Sequence, residues 1–238
     1  MPTKGYVVIA STKVFFYLSA INLIESIKEF DKNAQVTLYT EERFLDGQEW
    51  VADQVEFIDN HTRAKLKGMA LTPYDHTFYI DADCEVVHND ISTVFDLFDD
   101  NDIVFTALPD DRAYCFAQHY FPGGKLHLCG AVCLYDMTKP IVREFMNDWY
   151  DLTVEQYAGR WWPEDINLYP KNLSRWDQFS LWWLVNKTPK YKDLKIGIFD
   201  DDSRWNYYSS YRAGHNTLPV VIQHYSALKS GVQESLGV

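Results

Sequence analysis

Residues 77–87 read TFYIDADCEVV, an apolar run that ends abruptly in two carboxylates one residue apart. The aromatic and β-branched start of this segment is typical of a buried strand. Because side chains alternate along a strand, we expect Asp81 and Asp83 to leave the sheet on the same side. Two hard oxygen ligands held in this way suit a divalent cation such as Mg²⁺ or Mn²⁺, with positions left for water and a diphosphate. A surface turn that carries two acids is the alternative interpretation.

The composition favours one large α/β domain with a substantial core. The chain has 238 residues, of which 47% are hydrophobic, and a chain of that length is most simply a single domain. It contains no apolar run of about 18 residues or more, so we expect no membrane-spanning segment. The first residues lack the pattern of a signal peptide, and the four cysteines show no metal-ligand spacing. These features predict a cytoplasmic protein with reduced core thiols.

The acidic charge of the chain is unevenly distributed. The net charge is -12, and the whole excess of acidic over basic side chains lies in residues 1–138. Such a balance argues against broad, nonspecific attraction to nucleic acid. It leaves room for a local basic or aromatic cleft in residues 139–238.

Strand and helix patterns alternate along the chain. The periodicity predicts strands at 5–10, 35–40, 54–58, 77–83, 102–107, 126–134 with a break at Gly130, 194–199 and 219–224. It predicts helices at 14–30, 63–71, 90–98, 140–157 and 176–185, a turn at 121–124, and irregular structure over 158–176. This alternation favours a mostly parallel, doubly wound sheet flanked by helices. In such sheets ligands collect at the carboxyl ends of the strands, where Asp81 and Asp83 lie.

A series of short motifs, in order along the chain, resembles those of the GT-A glycosyltransferases. The resemblance is strongest to glycosyltransferase family 8, which includes glycogenin and bacterial galactosyltransferases. The motifs are AST at 10–12 before a helix that carries a tyrosine, Lys65 sixteen residues before Asp81, DAD at 81–83, CGAV at 129–132, WDQ at 176–178, QHY at 223–225, and Lys229. The resemblance implies one GT-A, Rossmann-like domain over 1–238. Residues 1–110 would be its nucleotide-sugar-binding half, and 111–238 its acceptor-side half with a C-terminal strand that binds metal and diphosphate.

The resemblance also implies a role for each motif. Asp81 and Asp83 are expected to hold Mn²⁺ or Mg²⁺, with His224 as the third ligand. Lys65 is expected to add positive charge near the donor, and Lys229 to clamp the diphosphate.

The remaining matched residues are expected to contact the nucleoside and the sugar. Ala10, Thr12 and Tyr17 would line the nucleoside pocket, where an aromatic ring can stack on a base, and Ala82 lies within the metal motif. Asp177 and Gln178, together with Lys65, would act near the anomeric carbon of the donor sugar.

Ordinary structural roles remain open for several of these residues. Lys65 also fits a solvated helix face, and Asp177 fits a helix N-cap. Tyr17 fits plain core, and His224 fits a histidine with no ligand role.

The sequence departs from the family pattern near the expected sugar and acceptor sites. Leu128 stands where the family has an asparagine, and Trp176 replaces a glycine. Ala227 replaces the closing glycine, and Lys229 falls one residue early. We therefore expect the donor sugar or the acceptor to differ from those of glycogenin.

Tryptophan and arginine are interleaved in the second half of the chain. Aromatic rings of this kind suit a surface that binds sugar rings or unstacked bases. Within the irregular segments, Arg160, Trp161, Trp162, Arg204 and Trp205 are the candidates for an acceptor rim. Trp182 and Trp183 lie inside an apolar helix and are predicted to be mostly core.

The sequence as a whole predicts a metal-dependent transferase that moves a sugar from a UDP-sugar to a hydroxyl group, with retention implied by the resemblance. A glycan or small sugar is the default acceptor. A protein side chain, or a hydroxymethylated base in DNA in the case of a viral enzyme, is the alternative acceptor. Two other functions stay open: a nucleotidyltransferase that makes a nucleotide sugar, and a noncatalytic binding module. The first usually has a Gly-rich basic loop after its first strand, whereas residues 10–13 contain no glycine.

Overall fold

The computed structural model describes residues 1–61, 63–107, 128–162, 176–199, 202–207 and 218–225. Within these ranges the chain forms one large sheet, one small sheet and the helices that cover the large sheet on both faces.

The large sheet has seven strands among the described residues: β1 Lys4–Ala10, β2 Val36–Thr40, β3 Gln54–Phe57, β4 His76–Asp81, β6 Ile103–Ala107, β7 Leu128–Asp136 and β8 Ile196–Ile198. Their order across the sheet is β3-β2-β1-β4-β7-β6-β8. Every neighbouring pair is parallel except those that involve β7, which runs antiparallel to both β4 and β6. The mostly parallel sheet predicted from the sequence is therefore confirmed.

A second, two-stranded sheet joins the segment after β4 to the last described strand. Strands β5 (Cys84–Val86) and β9 (Ile222–His224) pair antiparallel, with Cys84 opposite His224. This pairing brings residues that are distant in sequence to the carboxyl end of β4.

Helices pack on both faces of the large sheet because its buried strands are apolar on both sides. On one face, Tyr6 and Val8 of β1 join a core with helix α1 (Val14–Phe30). On the other face, Val7 and Ile9 join a second core. The helices of this second face are α2 Ala64–Ala70, α3 Pro140–Tyr157 and α4 Asp177–Lys187. None of the helices in the described ranges has the length and apolar character needed to cross a membrane.

Two predicted elements differ from the structure. The helix expected at 90–98 is a 3₁₀ helix, Asn89–Asp96, in which Ser92 and Thr93 hydroxyls donate to the carbonyls three residues before them. Such local bonds compete with a regular α-helix. The break expected at Gly130 takes the form of a shift in pairing: β7 runs through Gly130, but its register with β6 changes between Cys129 and Cys133. A Cβ at Gly130 would meet the Trp149 ring at 2.8 Å.

Candidate active site

Two adjoining cavities open at the carboxyl ends of β1 and β4, as expected for a doubly wound sheet. The first, of about 230 Å³, is lined by residues that follow these two strands and by the start of α1. The second, of about 440 Å³, lies toward β7 and the start of α4. Arg63, Lys65 and Asp81 line both cavities, so they stand at the junction between them.

Asp81 is the last residue of β4 and sits between two donors. Lys65 Nζ lies 3.3 Å from its Oδ1, and the Tyr79 hydroxyl donates to the same oxygen. Tyr79 is two positions before Asp81, so strand alternation directs both side chains to one face. Burial raises the pKa of Asp81, and the positive charge of Lys65 opposes this rise.

Lys65 also reaches Asp177 at the start of α4. Its Nζ is 3.1 Å from Asp177 Oδ2, and Arg63 Nη1 is 3.6 Å from Asp177 Oδ1. Burial disfavours the charged carboxylate, but Lys65 and Arg63 outweigh it and lower the pKa of Asp177. Burial likewise disfavours the charged ammonium, and Asp177 and Asp81 outweigh it and raise the pKa of Lys65. The sequence-based alternative of a solvated face for Lys65 is therefore not what the structure contains.

Helix α3 fixes the start of α4. Trp149 Nε1 donates to the Asp177 carbonyl at 2.9 Å, and Gln156 Nε2 donates to the Trp176 carbonyl at 2.9 Å. The N-cap residue of α4 is Trp176, whose side chain makes no capping hydrogen bond. Asp177 is thus not an N-cap, and Gln178 follows it on the wall of the second cavity.

Asp83 and His224 form a pair that can hold a divalent cation. His224 Nε2 lies 3.2 Å from Asp83 Oδ1, and the Tyr225 amide donates to the Asp83 carbonyl at 2.9 Å. The Cys84 sulfur joins them in a group whose ligand atoms all lie within 4.8 Å of one another. Carboxylate and imidazole are both common ligands of divalent metals, so these residues fit the predicted ion.

Asp81 lies outside this compact group of the described residues, and its carboxylate contacts Lys65 and Tyr79. It lines the first cavity together with Asp83. The chain turns at residues 82–83 directly after β4, and Asp83 contacts His224 of β9. The role of Asp81 as a metal ligand stays a prediction.

Asn206 fixes the ring of His224. His224 Nδ1 lies 2.7 Å from Asn206 Oδ1, while the Asn206 amide nitrogen donates to Thr106 Oγ1 at 3.2 Å and Cys129 Sγ at 3.3 Å. The Asn206 oxygen is then placed to accept a hydrogen bond from Nδ1–H. This arrangement leaves Nε2 as the ring atom that faces Asp83 and that would bind a cation held there.

Asn206→Leu is expected to lower the affinity for Mn²⁺ by roughly 10–100-fold, the usual cost of losing an outer partner of a metal ligand. Leucine fills the buried space but accepts no hydrogen bond from His224. Asn206→Asp keeps an acceptor at the same place and should retain most of the affinity. Mn²⁺ binding measured by electron paramagnetic resonance in the presence of UDP, with thermal unfolding of each variant, checks this result. Equal affinities in the Leu variant and the native chain would contradict it.

The loop after β1 is held in an unusual conformation at the mouth of the first cavity. Thr12 has a φ of 74°, and its amide donates to Glu41 Oε1 at 2.5 Å. The Ser11 hydroxyl donates to the same oxygen at 3.1 Å. Burial disfavours the charged form of Glu41, but these bonds and Arg43 outweigh it and lower the pKa of Glu41. The loop is thus fixed where the sequence predicts a nucleoside pocket, with Thr12 on its wall.

The fold is similar to that of solved glycosyltransferases. The galactosyltransferase LgtC, in complex with donor and acceptor sugar analogs, matches with a TM-score of 0.55 and 17% identity, over 93% of this chain and 86% of that chain. The glycosyltransferase GlyE of Streptococcus pneumoniae TIGR4 matches with a TM-score of 0.55 and 17% identity, over 94% of this chain and 55% of that chain. The apo form of mouse xyloside xylosyltransferase 1 matches with a TM-score of 0.55 and 13% identity, over 94% of this chain and 98% of that chain.

The chain has the GT-A glycosyltransferase fold. This confirms the fold predicted from the order of the motifs. No protein-family model matches the sequence, and no curated protein matches it either. The likeness therefore rests on the three-dimensional structure, at identities too low to carry an activity across.

Tyr17 and Ala10, both expected in the nucleoside pocket, are core residues of this GT-A fold. Each has 0% of its surface exposed. The Tyr17 hydroxyl donates to Asp46 Oδ1 at 2.9 Å and Glu49 Oε2 at 3.1 Å. Phe16, its neighbour in α1, lines the first cavity, whereas Tyr17 does not.

Tyr17→Phe is expected to lower the free energy of unfolding by about 0.5–1.5 kcal/mol, since it removes buried hydrogen bonds and leaves the ring in place. The affinity for UDP should stay unchanged because the ring does not reach the cavity. Urea unfolding and a UDP titration of the same preparation measure both quantities. A loss of UDP affinity at native stability would instead restore Tyr17 to the pocket.

Two candidates for an acceptor rim lie inside the protein. Arg204 is 8% exposed and Trp205 is 3% exposed. The Arg204 guanidinium pairs with Asp90 and donates to the Pro219 carbonyl at 2.8 Å. The expectation that Arg204 and Trp205 face an acceptor is therefore wrong, because their segment packs under the strand that carries His224.

The other aromatic candidates form a cluster around Phe179 of α4. Trp161 and Trp162 are half-buried and pack on this ring, and Trp182 is core as predicted. Trp176 is 42% exposed and lines the second cavity. It is thus the tryptophan that the described structure offers to a ligand there. Arg160 is exposed and paired with Glu155.

Ala82 lies in the turn between Asp81 and Asp83 and lines the first cavity. Lys229, the expected diphosphate clamp, lies outside the described residues, as do Cys115 and the turn predicted at 121–124. The three described cysteines, at positions 84, 129 and 133, are buried and form no disulfide with one another.

Proposed function

We propose that this chain is a metal-dependent glycosyltransferase that moves a sugar from a UDP-sugar to a hydroxyl group. The observation that carries the proposal is the pair of Asp83 and His224, 3.2 Å apart, in which Asp83 lines the first cavity of a GT-A fold. Lys65 and Asp81 stand at the junction of the first and second cavities. A pair of residues that can hold a metal ion, next to the ammonium group of Lys65, is the arrangement that a diphosphate leaving group needs.

Asp83 and His224, with Asp81 beside them, would hold Mn²⁺ or Mg²⁺. When bound, the cation neutralises the charge that builds on the departing diphosphate. Lys65 adds a second positive charge at the same place, and Lys229 is proposed to do so from the C-terminal segment. The donor set supports this role because the ring of His224 is already oriented by Asn206.

The first cavity suits the nucleoside part of the donor. Its wall combines the fixed loop at Ser11 and Thr12 with the ring of Phe16 and the turn at Ala82. An aromatic ring beside hydrogen-bonding groups is a common way to bind a base. On this proposal, residues 1–110 bind the nucleotide sugar and residues 111–238 supply the acceptor side.

The second cavity suits the donor sugar and the acceptor. Asp177 and Gln178 line it together with Lys65, so carboxylate, amide and ammonium groups face the same space. We propose that these three residues position the anomeric carbon and the acceptor hydroxyl. Retention follows from the family resemblance and requires no strong general base, since the departing phosphate can accept the proton of the hydroxyl. Catalysis then consists of positioning and charge neutralisation.

Release of UDP from UDP-sugars tests the proposal. The purified chain is incubated with a panel of UDP-hexoses and UDP-pentoses, with Mn²⁺, with EDTA, and with EDTA followed by excess Mn²⁺. We expect UDP release from at least one donor, its loss with EDTA and its recovery with Mn²⁺. Binding of a UDP-sugar without release of UDP, with and without acceptors, would instead indicate a binding module.

A nucleotidyltransferase is the second candidate, because it shares the doubly wound sheet. It would release pyrophosphate from UTP and a sugar 1-phosphate, and this assay is run beside the first. The loop after β1 argues against this candidate, since residues 10–13 contain no glycine and the Ser11 and Thr12 groups are already bonded to Glu41. Pyrophosphate release without UDP release would overturn our choice.

The acceptor is proposed to be a glycan or small sugar. Trp176 beside the second cavity supports this choice, because an exposed indole can pack on a sugar face. Mass spectrometry of oligosaccharides, peptides and hydroxymethylated DNA after incubation with the active donor identifies the acceptor class. Modification of the DNA alone would favour the hydroxymethylated base.

A further inference from the structure

The ion-binding pair has a third neighbour of a different chemical character. In the β5–β9 pair, Cys84 stands directly opposite His224, and Asp83 precedes it in the chain. One oxygen of Asp83, the sulfur of Cys84 and a ring nitrogen of His224 lie within 4.8 Å of one another. Cys84 is 4% exposed and His224 is 6% exposed, so the group is largely shielded from water.

With the sulfur of Cys84 included, this ligand set suits a softer cation better than Mg²⁺ or Mn²⁺. Mg²⁺ and Mn²⁺ prefer oxygen ligands, whereas one sulfur, one nitrogen and one oxygen are typical ligands of Zn²⁺. A softer ion gains most from the sulfur of Cys84, because thiolate selects soft metals. The same three residues can therefore distinguish two classes of cation.

A third cavity gives this group space for an ion and its remaining ligands. It has a volume of about 590 Å³ and lies between α1 and β5, with Asp83 and Cys84 on its wall. Glu25, Glu29 and Glu85 line it. Negative side chains around an entrance raise the local concentration of cations.

We propose that Asp83, Cys84 and His224 bind a thiophilic divalent cation, Zn²⁺ or Cd²⁺, more tightly than Mg²⁺ or Mn²⁺. The thiol proton of Cys84 passes to solvent as the metal–sulfur bond forms. Since the ion takes Asp83 and His224, it excludes the cation of the proposed transfer reaction. The binding stands independently of the proposed function, and only the resulting inhibition rests on it.

Titration of the purified chain with Cd²⁺ tests the binding directly. The sulfur-to-cadmium charge-transfer absorption in the ultraviolet reports a metal-bound thiolate. We expect one such band in the native chain, its loss in Cys84→Ser and its retention in Cys133→Ser. Cys133 is an equally buried free thiol outside the group. No band in the native chain, or an undiminished band in Cys84→Ser, would overturn the proposal.

A second variant keeps the test valid if Cys84→Ser does not fold. His224→Gln retains the Cys84 thiol but removes a proposed ligand. It should therefore weaken Cd²⁺ binding by more than the roughly 10–100-fold lost when a residue that supports a metal ligand is removed. Circular dichroism confirms the fold of each variant. Unchanged Cd²⁺ affinity in folded His224→Gln would place the bound thiolate elsewhere and also overturn the proposal.

Displacement of Mn²⁺ links the site to the transfer reaction. Mn²⁺ is bound in the presence of UDP, Zn²⁺ is added, and the signal of free Mn²⁺ is followed by electron paramagnetic resonance. We expect Zn²⁺ to release Mn²⁺ from the native chain at a lower concentration than from Cys84→Ser. Equal concentrations for both would contradict the competition. If the native chain binds no Mn²⁺, that result counts against the proposed transferase function. The Cd²⁺ absorption band is a separate test, and it decides the proposal that Asp83, Cys84 and His224 bind a thiophilic cation.

Discussion

Asp83→Asn is expected to reduce UDP-sugar turnover by more than roughly 100-fold. Loss of a residue that only supports a metal ligand can already cost that much, and Asp83 is proposed to be a ligand itself. The change preserves the size of the side chain but removes the charge that faces His224 at 3.2 Å. Without this carboxylate the pair cannot hold a hard cation, so the diphosphate loses its main counter-charge. Turnover and Mn²⁺ affinity, measured on the same preparation, check the result.

Asp59→Asn is the matched control for this change. Asp59 is an exposed partner of Lys67 at 3.1 Å, outside both cavities, and a surface ion pair contributes little to stability. We expect this variant to keep native turnover and native Mn²⁺ affinity. Native turnover in folded Asp83→Asn would show that the ion, if any, is held elsewhere.

Lys65→Met is expected to destabilise the fold and to abolish binding of the sugar nucleotide. Lys65 lies between Asp81, at 3.3 Å, and Asp177, at 3.1 Å. Removing the ammonium leaves two largely buried carboxylates without their shared partner, which costs about 3–5 kcal/mol of unfolding free energy by analogy with other buried pairs. Urea unfolding and UDP-sugar titration measure the two effects. Lys67→Met, in the same helix but on its exposed face, should change stability by about 0–1 kcal/mol.

A double variant separates the structural and functional roles of Lys65. Adding Asp177→Asn to Lys65→Met removes one of the two buried charges that have lost Lys65. Asp177 has Arg63 as a remaining partner at 3.6 Å, so only part of the lost stability should return. Donor binding should not recover, because the positive charge at the junction of the cavities is still missing. Recovery of donor binding together with stability would mean that Lys65 serves the fold alone.

The strands, and the position of Asp81 at a strand end, could be predicted because their signals are local. The apolar run before Asp81 specifies a buried strand, and parallel strands place their carboxyl ends at one edge of the sheet. The resemblance to family 8 implied a position for Lys65 near the donor, and the structure places its ammonium 3.3 Å from Asp81. The alternation of Tyr6 to Ile9 between two cores likewise follows directly from the period of a strand.

Asn206 could not be predicted because its partners are far apart in sequence. It contacts residues 18, 77 and 100 positions away, and its own segment has no period that marks a strand or helix. Tyr79 could have been found, since it lies two positions before Asp81 and alternation places both on one face. Arg63 also lines both cavities, but the sequence offers only its position two residues before Lys65.

Tyr17 shows why residue type alone misleads. A tyrosine has an apolar ring and a polar hydroxyl, so it satisfies both a core position and a ligand pocket. The distinction depends on Asp46 and Glu49, about 30 residues away, which bind the hydroxyl. Arg204 was misplaced for the same reason, because its partner Asp90 lies 114 positions away.

The pairing of β5 with β9 has a consequence for biosynthesis. Glu85 and Tyr225 are 140 positions apart, and closing so long a loop is costly in entropy. A nascent chain that has left the ribosome through β8 already contains every described strand of the large sheet, yet it still lacks His224. On the proposed function, an unfinished polypeptide of this length would not turn over sugar nucleotide, because one residue of the proposed ion site is still missing.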